Sequence, residues 1–316
     1  MPTPPATGPA AHPAPDTLRT AALAVLQLTD PPAKCAATLA LAAAQGVSPR
    51  DDPSLDPSLD RSPRPAPTLA LPIGAAQPLT EPPGVPGRPA RPLLVPPGDV
   101  PTRSPHTVEG RAALLHAICH IEFNAINLAL DAIWRFAHLP DAFYTDWLQV
   151  AAEEALHHQL LTQRLAELRG PDGQTWHYGS FEAHDGLWAM CQKTAHDVTA
   201  RMALVPRTLE ARGLDATPLI QRKLHEVAQR QGTAAADAPR LVAALDRILR
   251  DEVGHVAVGN RWYGWLCAQQ GLEPVAHYRW LARQHAAPRL KPPFNDEARR
   301  QAGFTEEELA DLHAPG

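Results

Sequence analysis

From His106 onward, apolar residues recur every three or four positions, the spacing of a buried helix face. This spacing predicts a long helix over about 107–138, stopped by Pro140, and a second over about 141–168, stopped by "GPDG". A third is expected over about 180–213, interrupted or kinked at Pro206. The stretch "TPLIQRKLHEVAQRQG" reads as an extra helix, with Thr217 as N-cap and Pro218 at its first position. A fourth long helix is expected over about 237–270, followed by short helices in "PVAHYRWLARQHAAP" and "NDEARRQAGFTEEELADL". No alternating strand pattern and no hairpin turn interrupts them, so the chain is expected to be all-α.

Most of the 35 prolines precede His106 and divide the chain into parts. Residues 1–15 offer little to bury and are expected to be disordered. Residues 16–46 hold two short amphipathic helices, "TLRTAALAVLQLTD" and "PPAKCAATLALAAAQG", the second opening with proline and closing at Gly46. Residues 47–105 are rich in Pro, Asp and Arg and are expected to lie across the protein as an extended arm, because proline lacks a donor and fixes φ. Within the arm, Leu93, Leu94 and Val95 are expected to dock in a groove. Residues 106–316 then form the main helical unit with a C-terminal extension.

Several ionisable residues break the apolar faces. At about 100° per residue, Glu252 shares a face with Leu241, Leu245, Ile248, Val256 and Tyr263, with His255 one turn on. Glu154 sits likewise among Trp147, Val150, Leu161 and Leu165, with His157 one turn on, and Glu122 among Leu115, Ile118, Ile126 and Ile133. Burying an unpaired carboxylate costs several kcal/mol, so such a core needs countercharge. Two metal ions supply it in the arrangement of one Glu from each of two helices plus Glu-x-x-His from each of two others. Glu210, in "RMALVPRTLEARGLD", is the candidate from the third helix, although its phase neighbours Thr199, Ala203 and Arg207 also suit a solvated face. His120 points away from the Glu122 face and reads as a surface or capping residue; His158 is displaced in phase from His157. Glu153 and Asp251, each preceding a candidate ligand, suit partners for a histidine Nδ1–H. Tyr263 reads better as a core aromatic than as a redox group.

Composition narrows the classes. A net charge of −5 argues against broad nucleic-acid binding, which needs a cationic face. The four cysteines are far apart and read as buried thiols of a reducing compartment. No signal peptide and no bilayer-spanning apolar run are visible, so the expected location is cytoplasmic, with no membrane partner.

The segments "HIEFNAINLALDAIWRF", "VAAEEALHHQLL", "RMALVPRTLEARGLDATP", "ILRDEVGHVAVGNRW" and "KPPFNDEARRQAGF", with "GRPARPLLVPP" upstream, resemble a bacterial ferritin-like family of unknown function. The likeness covers nearly everything after about residue 16 and implies a ferritin-like four-helix bundle of the dimetal-carboxylate type, here with extra N- and C-terminal helices and the proline-rich arm. It places Glu122, Glu154, His157, Glu210, Glu252 and His255 as metal ligands, and it supports Glu210 where phase alone does not. Asn124 and Asn127 stand where variable polar residues are expected. The first functional expectation is an oxidoreductase in which two transition metals, Fe or an Fe–Mn pair, activate O2 to oxidise or hydroxylate a small molecule. The partners it allows for are an electron donor and a second copy of the chain as a homodimer. The alternatives are iron handling or ferroxidase activity without an organic substrate, and a non-catalytic helical interaction protein. A hydroxylase of modified tRNA draws no support from the charge balance.

Overall fold

A computed structural model describes residues 15–50 and 69–314. Helix α1 (Leu18–Leu26) opens with a capping box in which Thr17 and Thr20 each satisfy the other's backbone N–H. Helix α2 (Pro31–Ala44) is capped by Asp30 and begins with proline; Gly46 follows at φ +65°. Helix α3 (Val108–Arg135) is capped by Thr107, and α4 (Asp141–Glu167) starts directly after Pro140. Next come α5 (Gly186–Lys193) and α6 (Val198–Leu204), then a π-helical turn over Val205–Glu210 that runs into α7 (Ala211–Gln231). Helix α8 (Ala238–Gln270) is the longest, and α9 (Pro274–Gln284), α10 (Asp296–Gln301) and α11 (Glu306–His313) complete the chain. The described residues are all-helical, with one isolated bridge between Leu94 and Ala183 in place of any strand.

Helix α3 packs along α4, while α8 packs on α4, α6, the π turn and α7; α1 lies on α3 and α2 on α4. The interior is two main apolar cores. Phe143, Trp147, Ile133, Trp262 and Tyr263 belong to one, and Leu115, Leu161, Leu165, Leu245 and Ile248 to the other. Helices α3, α4 and α8 each pass from one core to the other. On α3 the crossover falls between Cys119 and Ala125, on α4 between Ala155 and Leu161, and on α8 between Ile248 and Trp262. The candidate ligands Glu122, His157, Glu252 and His255 lie inside those intervals, and Glu154 borders one. A polar layer therefore divides the interior at the level the periodicity marked.

Three expectations need correction. The third helix is not one helix over 180–213: α5 and α6 are separate, and the π turn joins α6 to α7. Thr217 is not an N-cap, since α7 already runs through Pro218. The proline leaves the Leu214 carbonyl without its helical donor, and Asn295 Nδ2 donates to that oxygen at 3.2 Å. Helix α3 has the length and composition of a membrane span, but 72% of that window is buried inside the protein, as befits a core helix.

The third correction concerns the arm. Its described part, from residue 69, is attached through backbone groups rather than through its leucines. Leu18 N–H donates to Pro72 O at 2.8 Å and Gly87 N–H to Leu26 O at 2.9 Å. The buried Lys34 donates from Nζ to Gly87 O and to Asn127 Oδ1. Leu93 and Leu94 are 58% and 39% exposed; they face outward while Val95 N–H bonds Ala183 O at 2.8 Å. The expected docking of these leucines in a groove is thus not what holds the arm. Replacing both leucines with Ser is expected to change stability by no more than about 0.5 kcal/mol. By contrast, Gly87→Ala puts a Cβ 2.1 Å from Gln27 O and is expected to destabilise by about 1–3 kcal/mol, both read from urea unfolding. The expected disorder of residues 1–15 falls almost wholly outside the described residues, as does the arm's 51–68 segment.

Candidate metal centre

Helix α3 supplies Glu122, α4 supplies Glu154 and His157, and α8 supplies Glu252 and His255. One ligand atom each from Glu122, Glu154, His157 and Glu252 lies within 4.8 Å of the others. His157 Nδ1 is 3.3 Å from Glu154 Oε2 and 3.5 Å from Glu122 Oε2. His255 joins through Nδ1, which is 2.8 Å from Glu154 Oε1 and 3.6 Å from Glu252 Oε1. Glu154 therefore stands between the two imidazoles, whose ring centres are 5.6 Å apart.

The histidines are aimed by carboxylates on the opposite helix. His157, on α4, bonds through Nε2 to Asp251 Oδ2 of α8 at 2.9 Å; His255, on α8, bonds through Nε2 to Glu153 Oε2 of α4 at 2.8 Å. A carboxylate accepts only, so each Nε2 carries a proton, and each Nδ1 turns inward to the carboxylate cluster, where it is the nitrogen open to a metal once its own proton is lost. Glu153 and Asp251 thus serve as expected of them, but on Nε2 and across helices rather than on Nδ1. Arg50, unremarked in the sequence, steadies Glu153 by its backbone N–H at 2.9 Å and its Nε at 3.4 Å. Gly254 makes room for it, since a Cβ there would meet the Arg50 guanidinium.

Glu210 reaches the same region by a different route. Pro206 has no N–H to give to a helical carbonyl, and the chain widens: Ala211 N–H bonds Pro206 O, five residues back. Thr208 Oγ1 bonds Ala203 O at 2.8 Å in the same pattern. The extra residue rotates Glu210 away from the phase of a regular helix, which is why counting at 100° placed it ambiguously. Gly259 lets the turn press against α8, because a Cβ there would come within 2.6 Å of the Pro206 ring. Glu210 is buried, its carboxylate near enough to Glu252, Glu154 and Glu122 to feel their charges, although it stands outside the four-residue cluster.

The electrostatics are those of a site short of positive charge. Burial, then the charge of Glu154, pushes the Glu122 carboxyl up to about 8. Burial and the Glu252 and Glu154 charges hold Glu210 well above the ordinary carboxylate range. Burial alone would lower both imidazoles, but Asp251, Glu122 and Glu154 raise His157, and Glu154 and Glu153 raise His255, well above the usual value. Burial also opposes ionisation of Glu153, yet His255 draws it down to about 2.

Five inward atoms find no hydrogen-bond partner among the described residues: Glu122 Oε2, Glu154 Oε1, both Glu210 oxygens and His255 Nδ1. Glu154 Oε1 and His255 Nδ1 are only 2.8 Å apart yet lack the alignment of a hydrogen bond. Buried polar atoms are nearly always paired, so this concentration of carboxylate oxygens and an imidazole nitrogen fits a cation as the missing partner. Carboxylates with imidazoles suit divalent first-row metals.

The other tempting residues fall elsewhere. His120 is buried rather than exposed, with Nδ1 2.8 Å from Tyr178 OH and Nε2 facing His184 O, away from the ligands. His158 meets Cys35 Sγ at 3.6 Å on the far side of α4. Tyr263 is a core aromatic whose hydroxyl donates to Pro274 O. Asn124 and Asn127 are buried, the first bonded to His120 O and the second to Lys34. All four cysteines are free and buried.

Residues 28–310 match the family described as "Protein of unknown function (DUF455)". The chain belongs to this family. A second likeness is to an uncharacterised protein of Haemophilus influenzae, 51% identical over 228 residues, which cover 70% of this chain and 74% of the relative. No solved structure matches. The family match spans every residue of the centre, from Glu122 to His255.

Proposed function

We propose that this chain is a dimetal oxidoreductase of the ferritin-like, carboxylate-bridged type. The reading rests on one observation: unpartnered carboxylate oxygens and an imidazole nitrogen meet in a buried layer between two apolar cores. Glu122, Glu154, His157, Glu210, Glu252 and His255 would hold two ions, iron or iron with manganese. When bound, such a pair supplies redox equivalents for reducing O2 while a small organic substrate is oxidised or hydroxylated.

The chain's own residues prepare that chemistry. Glu154, within reach of both imidazoles, is suited to be shared between the ions; Glu122 and Glu210 are suited to one each. Asp251 and Glu153 bind the Nε2–H of each histidine and so leave Nδ1 as the nitrogen that would exchange its proton for a metal. The apolar cores on either side exclude water, which strengthens every charge interaction in the layer.

Protein purified without added chelator is expected to carry close to two transition-metal ions per chain by elemental analysis. Anaerobic loading with Fe(II), followed by O2, is expected to give an oxo-bridged absorption band at that stoichiometry. Failure to retain or to take up any metal would sink the proposal. Continued uptake far beyond two ions, with mineral formation, would replace it by iron storage.

A further inference from the structure

The C-terminal extension returns to one place, the turn that carries Glu210. Arg207, on that turn and 5% exposed, forms an ion pair through Nη2 with Glu308 Oε1 of α11 at 2.5 Å and donates from Nη1 to Asn260 Oδ1 of α8 at 3.0 Å. Its guanidinium is enclosed by the rings of Tyr263, Tyr278 and Phe304, between 4.7 and 5.5 Å from their centres. Asn260 in turn donates to Ala302 O, and the next residue of the turn, Thr208, meets Tyr278 OH at 3.0 Å. Just past Glu210, Arg299 donates to Ala211 O and pairs with Asp215, and Asn295 donates to Leu214 O and Asp215.

These contacts are unevenly placed. A π turn is a weak, easily rewound element, since its geometry gives up the regular i→i−4 ladder. Glu210 itself makes no hydrogen bond that would orient it. Its orientation is therefore inherited from the backbone on either side, and on both sides that backbone is tied to residues 295–308. Glu308 has two tasks: Oε1 takes Arg207, and Oε2 accepts Thr305 N–H to cap α11. The order of α11 and the register of the turn are linked through one carboxylate.

We propose that the C-terminal segment is the positioning device for the Glu210 carboxylate, with Glu308 and Arg207 as positioning residues, and that metal binding and docking of this segment reinforce each other. The inference rests on the dimetal reading of the site. Coupling of this kind is reciprocal: whatever the docked segment adds to metal affinity, bound metal adds to docking of the segment.

The test uses the full chain, Mn(II) as the probe, calorimetric titration, and amide hydrogen exchange of residues 296–313. Glu308→Gln keeps a carbonyl able to cap α11 but removes the charge that holds Arg207. It is expected to weaken one of the two Mn(II) equivalents by about 10- to 100-fold, the usual effect of losing a ligand-orienting partner. Arg300→Gln, which breaks only the exposed pair with Glu306 in the same segment, is expected to leave both equivalents unchanged. Mn(II) is expected to slow exchange across 296–313 in the native protein. It is expected not to do so in Glu210→Gln, which keeps the other five ligands and an unaltered C-terminus. Native-like affinity for both equivalents in Glu308→Gln overturns the inference, and so does equal metal-induced protection in Glu210→Gln. If Glu308→Gln does not fold, the exchange comparison between native and Glu210→Gln protein decides alone. Failure of the native chain to bind Mn(II), Fe(II) or any other divalent metal is a different result, because it removes the dimetal reading itself.

Discussion

His255→Ala is expected to reduce bound metal from close to two ions per chain to one or none, while His120→Ala retains both. The two substitutions remove the same chemical group from equally buried places, so the comparison isolates position. His255 offers an unpartnered Nδ1 to the carboxylate cluster, 2.8 Å from Glu154, and its loss also leaves Glu153 without the group that holds it ionised. His120 has both nitrogens engaged, with Tyr178 and with His184 and Asn124. Its removal leaves the half-buried Tyr178 hydroxyl without that partner and is expected to cost about 1–2 kcal/mol of stability without touching the metal. Elemental analysis of both variants, with circular dichroism to establish folding, makes the measurement. Equal metal loss from both would show that the ligand faces are misassigned.

Raising the pH from 6 to 9 is expected to lower the melting temperature of the metal-free protein, on the order of 5 °C, and not to lower that of the metal-loaded protein. The sign follows from the groups involved. Glu122 is raised to about 8, above its value of 4.5 when free, and His157 and His255 are both raised above 6.5. A group whose folded value is raised contributes stability in full below its unfolded value and loses it as pH rises through the folded one. For Glu122 that window runs from about 4.5 to about 8. Glu153, drawn down to about 2, has the opposite sign, but its loss falls in strong acid. Lys34, lowered by burial to about 7, also has the opposite sign and opposes the trend above pH 7, against the losses from Glu122, Glu210, His157 and His255. Metal ions replace these protons, so binding must release them, and affinity is expected to fall by about tenfold per proton for each unit of pH below the folded-state values. Calorimetry in buffers of different ionisation enthalpy counts the released protons. A metal-free melting temperature that rises from pH 6 to 9, or metal binding without proton release, would contradict the charge balance described.

Glu154, His157, Glu252 and His255 were legible because each pair sits three residues apart on an unbroken helix, where phase is set by geometry within the chain alone. Glu122 was legible for the same reason, on a helix whose apolar face runs from Leu115 to Ile133. The sequence by itself therefore determined the all-helical class, the helices that carry the polar layer, and five of the six candidate ligands. Family resemblance, not phase, supplied the sixth.

Tertiary structure alone decided the rest. Glu210 depends on a π turn that Pro206 opens and that Gly259, Arg207 and the C-terminal helices hold in place, and no local period encodes contacts made some fifty to a hundred residues away. The exchange of Asp251 and Glu153 between α4 and α8 needs the two helices side by side before either acid meets its histidine. His120 looked exposed because its phase faces away from Glu122, and it is buried because the 178–184 loop covers that side of α3. Leu93 and Leu94 looked buried because they are apolar, and they are exposed because the arm's backbone, rather than its side chains, meets the helices. In each case a helix reveals its own faces, and only the arrival of another segment determines what a face meets.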